Sequence, residues 1–349
     1  MVIGNSILIT IKMVIVGHQK QLEFLERTAD SGRRGHAYVL SGPAKIGKKK
    51  IAFEWLSRMF KEKIYEGCAH PDFLFVEPLT DAKTGKKSGE ITVDQIRGII
   101  RKLSLKPAMA GVKAAIIDDA HLMNTEAQNC LLKTLEEPPG DSLIILVAQN
   151  QQRLLETIRS RCEVLQFNFV SEAQIESSAK EFTKSDGAKL DAAAVKEIVK
   201  LSFGRPGRMM EFLADETRIN KWRQAEKEFA RIVNAELPEK FAYVKKITED
   251  ENSDIAAALE VWQFYFRNMM LDVLSETASA KSAKVAPCKL ARCDLDQAAP
   301  KFVFSKIKEA PYTLEKIAAI LKKIHDLNVT LMTTNANTKL AIENFMIDI

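Results

Sequence analysis

The sequence predicts a parallel α/β domain followed by a small helical domain and a larger helical domain. Short apolar runs alternate with helical patterns over the first 169 residues, and a glycine-rich loop separates one run from the helical stretch after it. After residue 170 the apolar runs fade and amphipathic helical patterns take over. Continuous apolar strands separated by helices indicate a parallel sheet covered on both faces. We therefore expect domains at residues 1–169, 170–213 and 214–349.

The elements follow from apolar periodicity and from turn residues. Strands are predicted at short apolar runs, the first three of which stop at or near Gly, Pro or Asp. They are expected at 37–40, 73–76, 114–117, 143–147 and 162–167. Helices are predicted where apolar residues recur at helical spacing, namely at 48–61, 92–103, 125–135, 222–235, 238–247, 254–274 and 314–345. A few short helices are expected between 171 and 213, and a loop at 279–304.

The composition is that of an ordinary folded chain. Of the 349 residues, 46% are hydrophobic and 28% charged, with 51 basic against 46 acidic residues and a net charge of +5. No apolar run approaches the about 20 residues that cross a bilayer. The stretch 1–16 reads as a strand or a leader and not as a signal peptide, and Met13 is an alternative start to Met1. Five scattered cysteines indicate free thiols in a cytoplasmic protein.

Residues 42–48 match the G-x-x-x-x-G-K frame of a phosphate-binding loop between a strand and a helix. Gly42 and Gly47 let backbone N–H groups surround a phosphate, and Lys48 can reach the outer phosphates. The next position requires Ser or Thr to hold Mg²⁺, but Lys49 stands there, and an ammonium cannot ligate a cation. Two interpretations remain open: a loop that binds ATP or ADP without hydrolysing it, and a loop that keeps its shape without nucleotide.

Two carboxylates, Asp118 and Asp119, end the predicted strand 114–117. In a nucleotide-hydrolysing domain the first carboxylate orients Mg²⁺ and the second polarises the attacking water. The second is normally Glu, and Asp119 is one methylene shorter. The alternative is that both residues only cap the following turn.

Several longer motifs resemble one family. They are Asp118-Asp119-Ala120-His121-Leu122-Met123, the phrase from Leu131 to Pro139, Ser160-Arg161-Cys162, Val16-Gly17-His18-Gln19, His36-Ala37-Tyr38, His70-Pro71-Asp72 and Gly207-Arg208. Together they resemble the clamp-loader branch of the AAA+ ATPases, and within it the delta-prime type of the bacterial DNA polymerase III complex. The resemblance covers about Val16 to Leu213.

This resemblance implies an AAA+ P-loop domain, a helical lid and a helical collar. It also implies a subunit of a ring that opens a sliding clamp and places it on primed DNA. Its partners would be motor subunits of the gamma/tau type and a delta-type subunit. Arg161 of the Ser-Arg-Cys motif would complete a neighbour's ATP site in trans. The alternative for Arg161 is a structural arginine that satisfies carbonyls at a helix end.

The departures from the family pattern favour a subunit without ATPase activity of its own. Motor members have Gly-Lys-Thr or Gly-Lys-Ser and Asp-Glu, where this chain has Lys49 and Asp119. Arg208 falls at the sensor-2 position, with an interdomain salt bridge as the alternative, and Gln149-Asn150 falls at the sensor-1 position. Many members carry four zinc-binding cysteines; only Cys68, with His70 nearby, is present here, so no zinc is expected.

Basic side chains dot the predicted helix 92–103. The resemblance implies contact between such a helix and DNA phosphates, and the residues concerned are Arg97, Arg101 and Lys102. The alternative is a solvated face, as for the turn with Lys83, Lys86 and Lys87.

Three functions therefore stay in competition. The first is a non-motor assembly subunit that donates Arg161. The second is an ATP-hydrolysing motor of the gamma/tau type or a related AAA+ ATPase, and the third is a nucleic-acid-binding module without nucleotide chemistry.

Overall fold

The computed structural model describes residues 15–31, 34–79, 89–185, 191–249, 255–282, 312–333 and 337–349. The chain divides into two compact units between Asp215 and Glu216. Both alternative starts, the turn with Lys83, Lys86 and Lys87, and most of the predicted loop 279–304 lie outside the described residues. The three-domain division at 169 and 213 stays a prediction.

The first unit is built on one parallel sheet. Its strands are β1 (Ala37–Ser41), β2 (Phe73–Val76), β3 (Lys113–Ile117), β4 (Ser142–Ala148) and β5 (Glu163–Gln166). Their order is β2-β3-β4-β1-β5, and each neighbouring pair is parallel. The expected parallel α/β fold is therefore confirmed. Each end of a predicted strand lies within one residue of the observed end.

Helices cover both faces of this sheet. They are α1 (Gln19–Ser31), α2 (Lys48–Phe60), α3 (Val93–Leu103), α4 (Thr125–Glu136) and the short α5 (Glu156–Arg159). Alternate strand residues feed two cores, as the twofold period of a strand requires. Leu40 of β1 packs in the core that includes α1 and α2, and its neighbour Val39 packs in the core that includes α3 and α4.

Three helices follow β5 within the first unit, in the range where a few short helices and the lid are predicted. They are α6 (Glu172–Ser185), α7 (Ala192–Ser202) and α8 (Pro206–Ala214). Pro206 suits the first turn of α8, because a backbone N–H at that position would have no partner within the helix and proline has no N–H.

The second unit is helical, as expected. It contains α9 (Glu216–Val233), α10 (Leu237–Glu249), α11 (Ile255–Ser282), α12 (Leu314–Thr333) and α13 (Thr338–Asp348). Trp262 is fully buried and stacks on Phe229 at 5.1 Å and on Phe345 at 5.4 Å between ring centroids. The apolar stripe on α11 is thus mainly core, although Leu271 is half exposed. No helix in the described ranges is both long enough and apolar enough to span a membrane.

One predicted helix is two helices in the structure. The pattern from 314 to 345 predicted a continuous helix, but α12 ends at Thr333 and α13 begins at Thr338. Asn337 caps α13, because its side-chain oxygen accepts a hydrogen bond from the Leu340 N–H at 3.2 Å. The first N–H groups of a helix have no hydrogen-bond partner within the helix, and the cap supplies one for Leu340. In a continuous helix the preceding turn would supply that partner.

Candidate functional site

The carboxyl ends of three adjacent strands bring the predicted pocket residues together. The phosphate-binding loop follows β1, the Asp118-Asp119 pair follows β3, and Gln149 follows β4. These strands are neighbours in the sheet, with β4 in the middle. In open parallel sheets this edge is the usual place for a ligand, so these residues form a candidate ligand pocket.

Glycines shape the loop. Gly47 precedes α2 at φ 101°, a left-handed conformation that favours glycine. A Cβ atom on Gly42 would lie 2.3 Å from the Phe167 carbonyl oxygen. His18 also contacts the loop, because its ring nitrogen Nε2 lies 3.3 Å from the Ile46 carbonyl oxygen. The sequence thus keeps the backbone shape of a phosphate-binding loop.

The Lys48 amine bonds to the loop's own backbone. Its Nζ donates to the carbonyl oxygens of Gly42 and Pro43, both at 2.6 Å, and the residue is only 5% exposed. Burial lowers the pKa of Lys48 to about 8, although Asp118 and Asp119 act in the opposite direction. Two of the three N–H donors that would serve a phosphate are therefore occupied by the protein.

Lys49 forms two ion pairs. Its Nζ lies 3.1 Å from Asp118 Oδ2 and 2.9 Å from Glu66 Oε2. The second oxygen of Asp118, Oδ1, accepts the Asp119 N–H at 3.0 Å. Burial raises the pKa of Asp118, and the charge of Lys49 opposes this rise. Sequence reasoning identified Lys49 and Asp118 but missed Glu66, which has no motif of its own.

Gln149, at the predicted sensor-1 position, lies beside Asp119 and His121. Gln149 Nε2 lies 3.5 Å from Asp119 Oδ1, and the Gln149 N–H lies 3.4 Å from His121 Nδ1. Burial lowers the pKa of His121 well below its usual value, so its ring is neutral at pH 7 and Nδ1 can accept. Asn150 caps the next turn, because its side chain accepts from the Gln152 N–H.

The lid helix α8 touches the phosphate-binding loop directly. The Gly207 N–H donates to the Lys45 carbonyl oxygen at 2.8 Å, and Lys45 Nζ pairs with Glu211 at 2.7 Å. A Cβ atom on Gly207 would lie 2.7 Å from the same carbonyl oxygen, so glycine permits this approach. No sequence pattern predicts the Lys45–Glu211 pair, since its members stand 166 positions apart in the chain.

Arg208, the expected sensor-2 residue, is buried within the lid. It is 5% exposed, and its guanidinium carbon lies 5.5 Å from the ring centroids of both Phe203 and Phe212. Both aromatic rings belong to the lid, so cation–π contacts fix the arginine there. A role for Arg208 towards nucleotide stays a prediction.

Arg161 lies at the surface between α5 and β5. Its Nη2 pairs with Glu136 Oε1 at 2.7 Å, and its Nη1 donates to the Thr157 carbonyl oxygen at 3.0 Å. About a third of its side chain is exposed. The structural alternative, an arginine that satisfies a helix-end carbonyl, thus describes its contacts in this chain. Burial raises the pKa of the adjacent Cys162 thiol to about 12, so this cysteine is no nucleophile at neutral pH.

The remaining predicted residues lie on α3 and before β2. The basic side chains of α3 are exposed; they are Arg97, Arg101 and Lys102. Cys68 Sγ lies 4.0 Å from the Lys63 carbonyl oxygen, and His70 Nε2 lies 3.5 Å from Glu62. Among the described residues, no group of three or more His, Cys, Asp or Glu side chains could hold a metal ion.

Comparisons with known proteins find several types of DNA polymerase III subunit. Residues 17–171 match the family described as DNA polymerase III, delta subunit. Over 144 residues the chain is 33% identical to DNA polymerase III subunit delta' of Pseudomonas aeruginosa. The aligned stretch covers 37% of this chain and 42% of that protein. The delta' subunit of Escherichia coli is 33% identical over 42% of this chain and 40% of its own length. The tau subunit of Bacillus subtilis is 27% identical over 54% of this chain and 35% of its own length. The matched stretch spans less than half of each relative.

Proposed function

We propose that this chain is a non-motor subunit of delta-prime type in the DNA polymerase III clamp loader. The match of residues 17–171 to the family described as DNA polymerase III, delta subunit, and the two delta' relatives support this proposal. In this role the chain helps to load the sliding clamp onto primed DNA in the cytoplasm. It donates Arg161 to the ATP site of a neighbouring subunit and does not hydrolyse ATP itself.

The position of Arg161 in the sheet carries this proposal. Strands β1 and β5 are parallel, with Tyr38 opposite Glu163. Arg161 therefore stands level with residue 36, six residues before Gly42 along β1. At about 3.3 Å per residue, Arg161 begins about 20 Å from its own phosphate-binding loop, at the opposite end of the sheet. A partly exposed arginine in that place is suited to a neighbour's nucleotide and not to its own.

The chemistry at the neighbour would be electrostatic. In phosphoryl transfer, negative charge spreads over the γ-phosphate oxygens, and an arginine supplied in trans stabilises that charge. The Nε of Arg161 makes no hydrogen bond to any part of the chain that the structure describes, so it can donate to such an oxygen together with a terminal N–H.

The pocket of this chain itself favours the non-motor interpretation. Lys48 is bonded to backbone carbonyls, and Lys49 is paired with Asp118. A motor would need the first lysine for phosphate and the aspartate for metal-bound water. The gamma and tau relatives keep a motor role as the alternative to be tested.

The partners belong to the proposal as well. We expect gamma/tau-type motor subunits and a delta-type subunit beside this chain, with the sliding clamp and primed DNA as the substrates of the assembly. The exposed basic side chains of α3 would contact DNA phosphates without reading sequence.

The test compares variants in a loader reconstituted with the gamma/tau-type and delta-type subunits of the same organism. Arg161→Ala should lower clamp-loading and DNA-stimulated ATPase rates by at least about tenfold, since trans arginines contribute 10³–10⁵ at a single site. Lys48→Ala should leave both rates unchanged. Arg27→Ala is the matched control, because it removes another exposed arginine whose ion pair among the described residues is with Glu23 of its own helix.

Two outcomes would contradict the proposal. If Arg161→Ala loads clamps at the wild-type rate in an assembled complex, the arginine has no role in trans. If Lys48→Ala abolishes ATP turnover by the purified chain, the motor function is the correct one.

A further inference from the structure

The phosphate-binding loop implies a magnesium ion that the residues of this chain do not fit. That ion is normally held by a hydroxyl after the loop lysine and, through water, by the first carboxylate of the second motif. Here the hydroxyl position is Lys49, whose ammonium has three donors and no acceptor. The carboxylate, Asp118, is already the acceptor of this ammonium at 3.1 Å. The donor set therefore disagrees with a divalent metal.

We propose that the Lys49 ammonium is a built-in cation in the place of that metal, held by the carboxylates of Asp118 and Glu66. The proposal concerns the isolated chain and holds whether or not Arg161 acts in trans. It assigns a role to Glu66, which no motif identifies. It also explains why Asp118 is present in a pocket that, under the proposed function, does not hydrolyse ATP.

The contacts around Lys49 resemble those of a coordinated ion. Two carboxylate oxygens lie at hydrogen-bond distance from Nζ, that of Glu66 at 2.9 Å and that of Asp118 at 3.1 Å. The ring of Phe75 on β2 lies 5.4 Å from Nζ, within the range of a cation–π contact. One cation thus joins the start of α2, the end of β2, the loop after α2 and the end of β3.

Burial makes this pairing necessary. The Asp118 side chain is 10% exposed, and a carboxylate at that depth requires a positive partner. A metal ion on Asp118 would stand beside the ammonium with like charge, so the two cations exclude each other. Lys48 cannot take over from Lys49, because its amine is engaged by two backbone carbonyls.

The first test is a thermal double-mutant cycle on the full chain. In the wild type, Asp118→Asn should lower the melting temperature by at least about 3 °C, the shift expected for roughly 1 kcal/mol in a domain of this size. In the Lys49→Met background the same change should have less than half that effect, because its partner is gone. Equal shifts in both backgrounds would overturn the proposal.

The second test uses Mn²⁺ alone as a probe, read by electron paramagnetic resonance of the free ion. The wild type should have no Mn²⁺ site that depends on Asp118, so wild type and Asp118→Asn should bind Mn²⁺ equally. Lys49→Thr should gain a Mn²⁺ site, and adding either Asp118→Asn or Glu66→Gln to this variant should weaken that site at least about tenfold. Lys50→Thr, the neighbouring lysine on the same helix, should gain none. A wild-type site that depends on Asp118, or a folded Lys49→Thr chain without a site, would overturn the proposal.

Discussion

Replacing Asp72 by asparagine is expected to destabilise the α/β domain by about 4 kcal/mol. Asp72 is fully buried before β2, where it accepts hydrogen bonds from three consecutive backbone N–H groups and from Lys113. Its Oδ1 accepts from Ala108 at 2.7 Å and from Lys113 at 3.2 Å, and its Oδ2 accepts from Met109 at 2.6 Å and Ala110 at 2.8 Å.

The magnitude follows from the donors that asparagine leaves without an acceptor. Only one of the two side-chain atoms stays an oxygen, and the other becomes an NH₂ donor that faces donors. Either orientation of the amide deprives two of the four donors of their acceptor. Each donor left unsatisfied in the interior costs about 1–3 kcal/mol, so two cost about 2–6 kcal/mol.

Hydrogen exchange measures this loss in the right domain. The amides of β2 and β3 adjoin Asp72, and their exchange by unfolding reports the free energy of opening of this sheet. Asp94→Asn is the matched control, because Asp94 is exposed and its pair with Arg97 should contribute less than about 1 kcal/mol. A loss below about 1 kcal/mol in Asp72→Asn would refute the reasoning, since it would mean that the four contacts contribute little.

The pH dependence has a definite sign. Burial by itself raises the pKa of Asp72, but the backbone N–H groups of Ala108, Ala110 and Met109 and the amine of Lys113 outweigh burial and hold the pKa well below its usual range. A carboxyl with a lowered pKa stabilises the folded state above its unfolded pKa of about 4 and loses this effect as the pH falls further. The difference in the free energy of opening between wild type and Asp72→Asn should be constant from pH 5 to 8 and should become smaller below about pH 4.

Three further predictions concern surface side chains and the half-buried Cys162 thiol. Glu136→Gln should raise the ATPase rate of the assembled loader up to about fivefold, because an exposed ion pair that holds Arg161 back contributes about 0–1 kcal/mol; a lower rate would mean that Glu136 helps the arginine. Cys162, with a pKa of about 12, should react with iodoacetamide at pH 8 about 10³ times more slowly than in the urea-unfolded chain, as followed by mass spectrometry; similar rates would contradict its burial. Removing three basic side chains of α3 should lower the salt slope of DNA binding by the loader by up to about 2.7, at 0.9 per phosphate contact, and an unchanged slope would indicate a solvated face. The side chains are Arg97, Arg101 and Lys102.

Local patterns were sufficient for most of the fold. The strands β1, β3 and β4 are apolar on both faces, and their short apolar runs predicted them because a strand between two helical layers has no polar side. The edge strand β5 is mostly exposed, yet a strand at 162–167 was also predicted. The break between α12 and α13 was missed, because apolar periodicity continues across it while Asn337 caps a new helix.

The sequence by itself determined the loop, its glycines, the two aspartates after β3 and the substitution of Lys49 for a hydroxyl residue. These are statements about residue types at fixed spacing, which the chain carries locally. The tertiary structure decided which groups those residues meet: Glu66 and Asp118 at Lys49, Glu211 at Lys45, and Glu136 at Arg161. Such partners come from loops and helix ends that approach one another only when the strands align side by side. Ion pairing depends on distance in space and not on spacing in the chain, so no pattern in the sequence contains it.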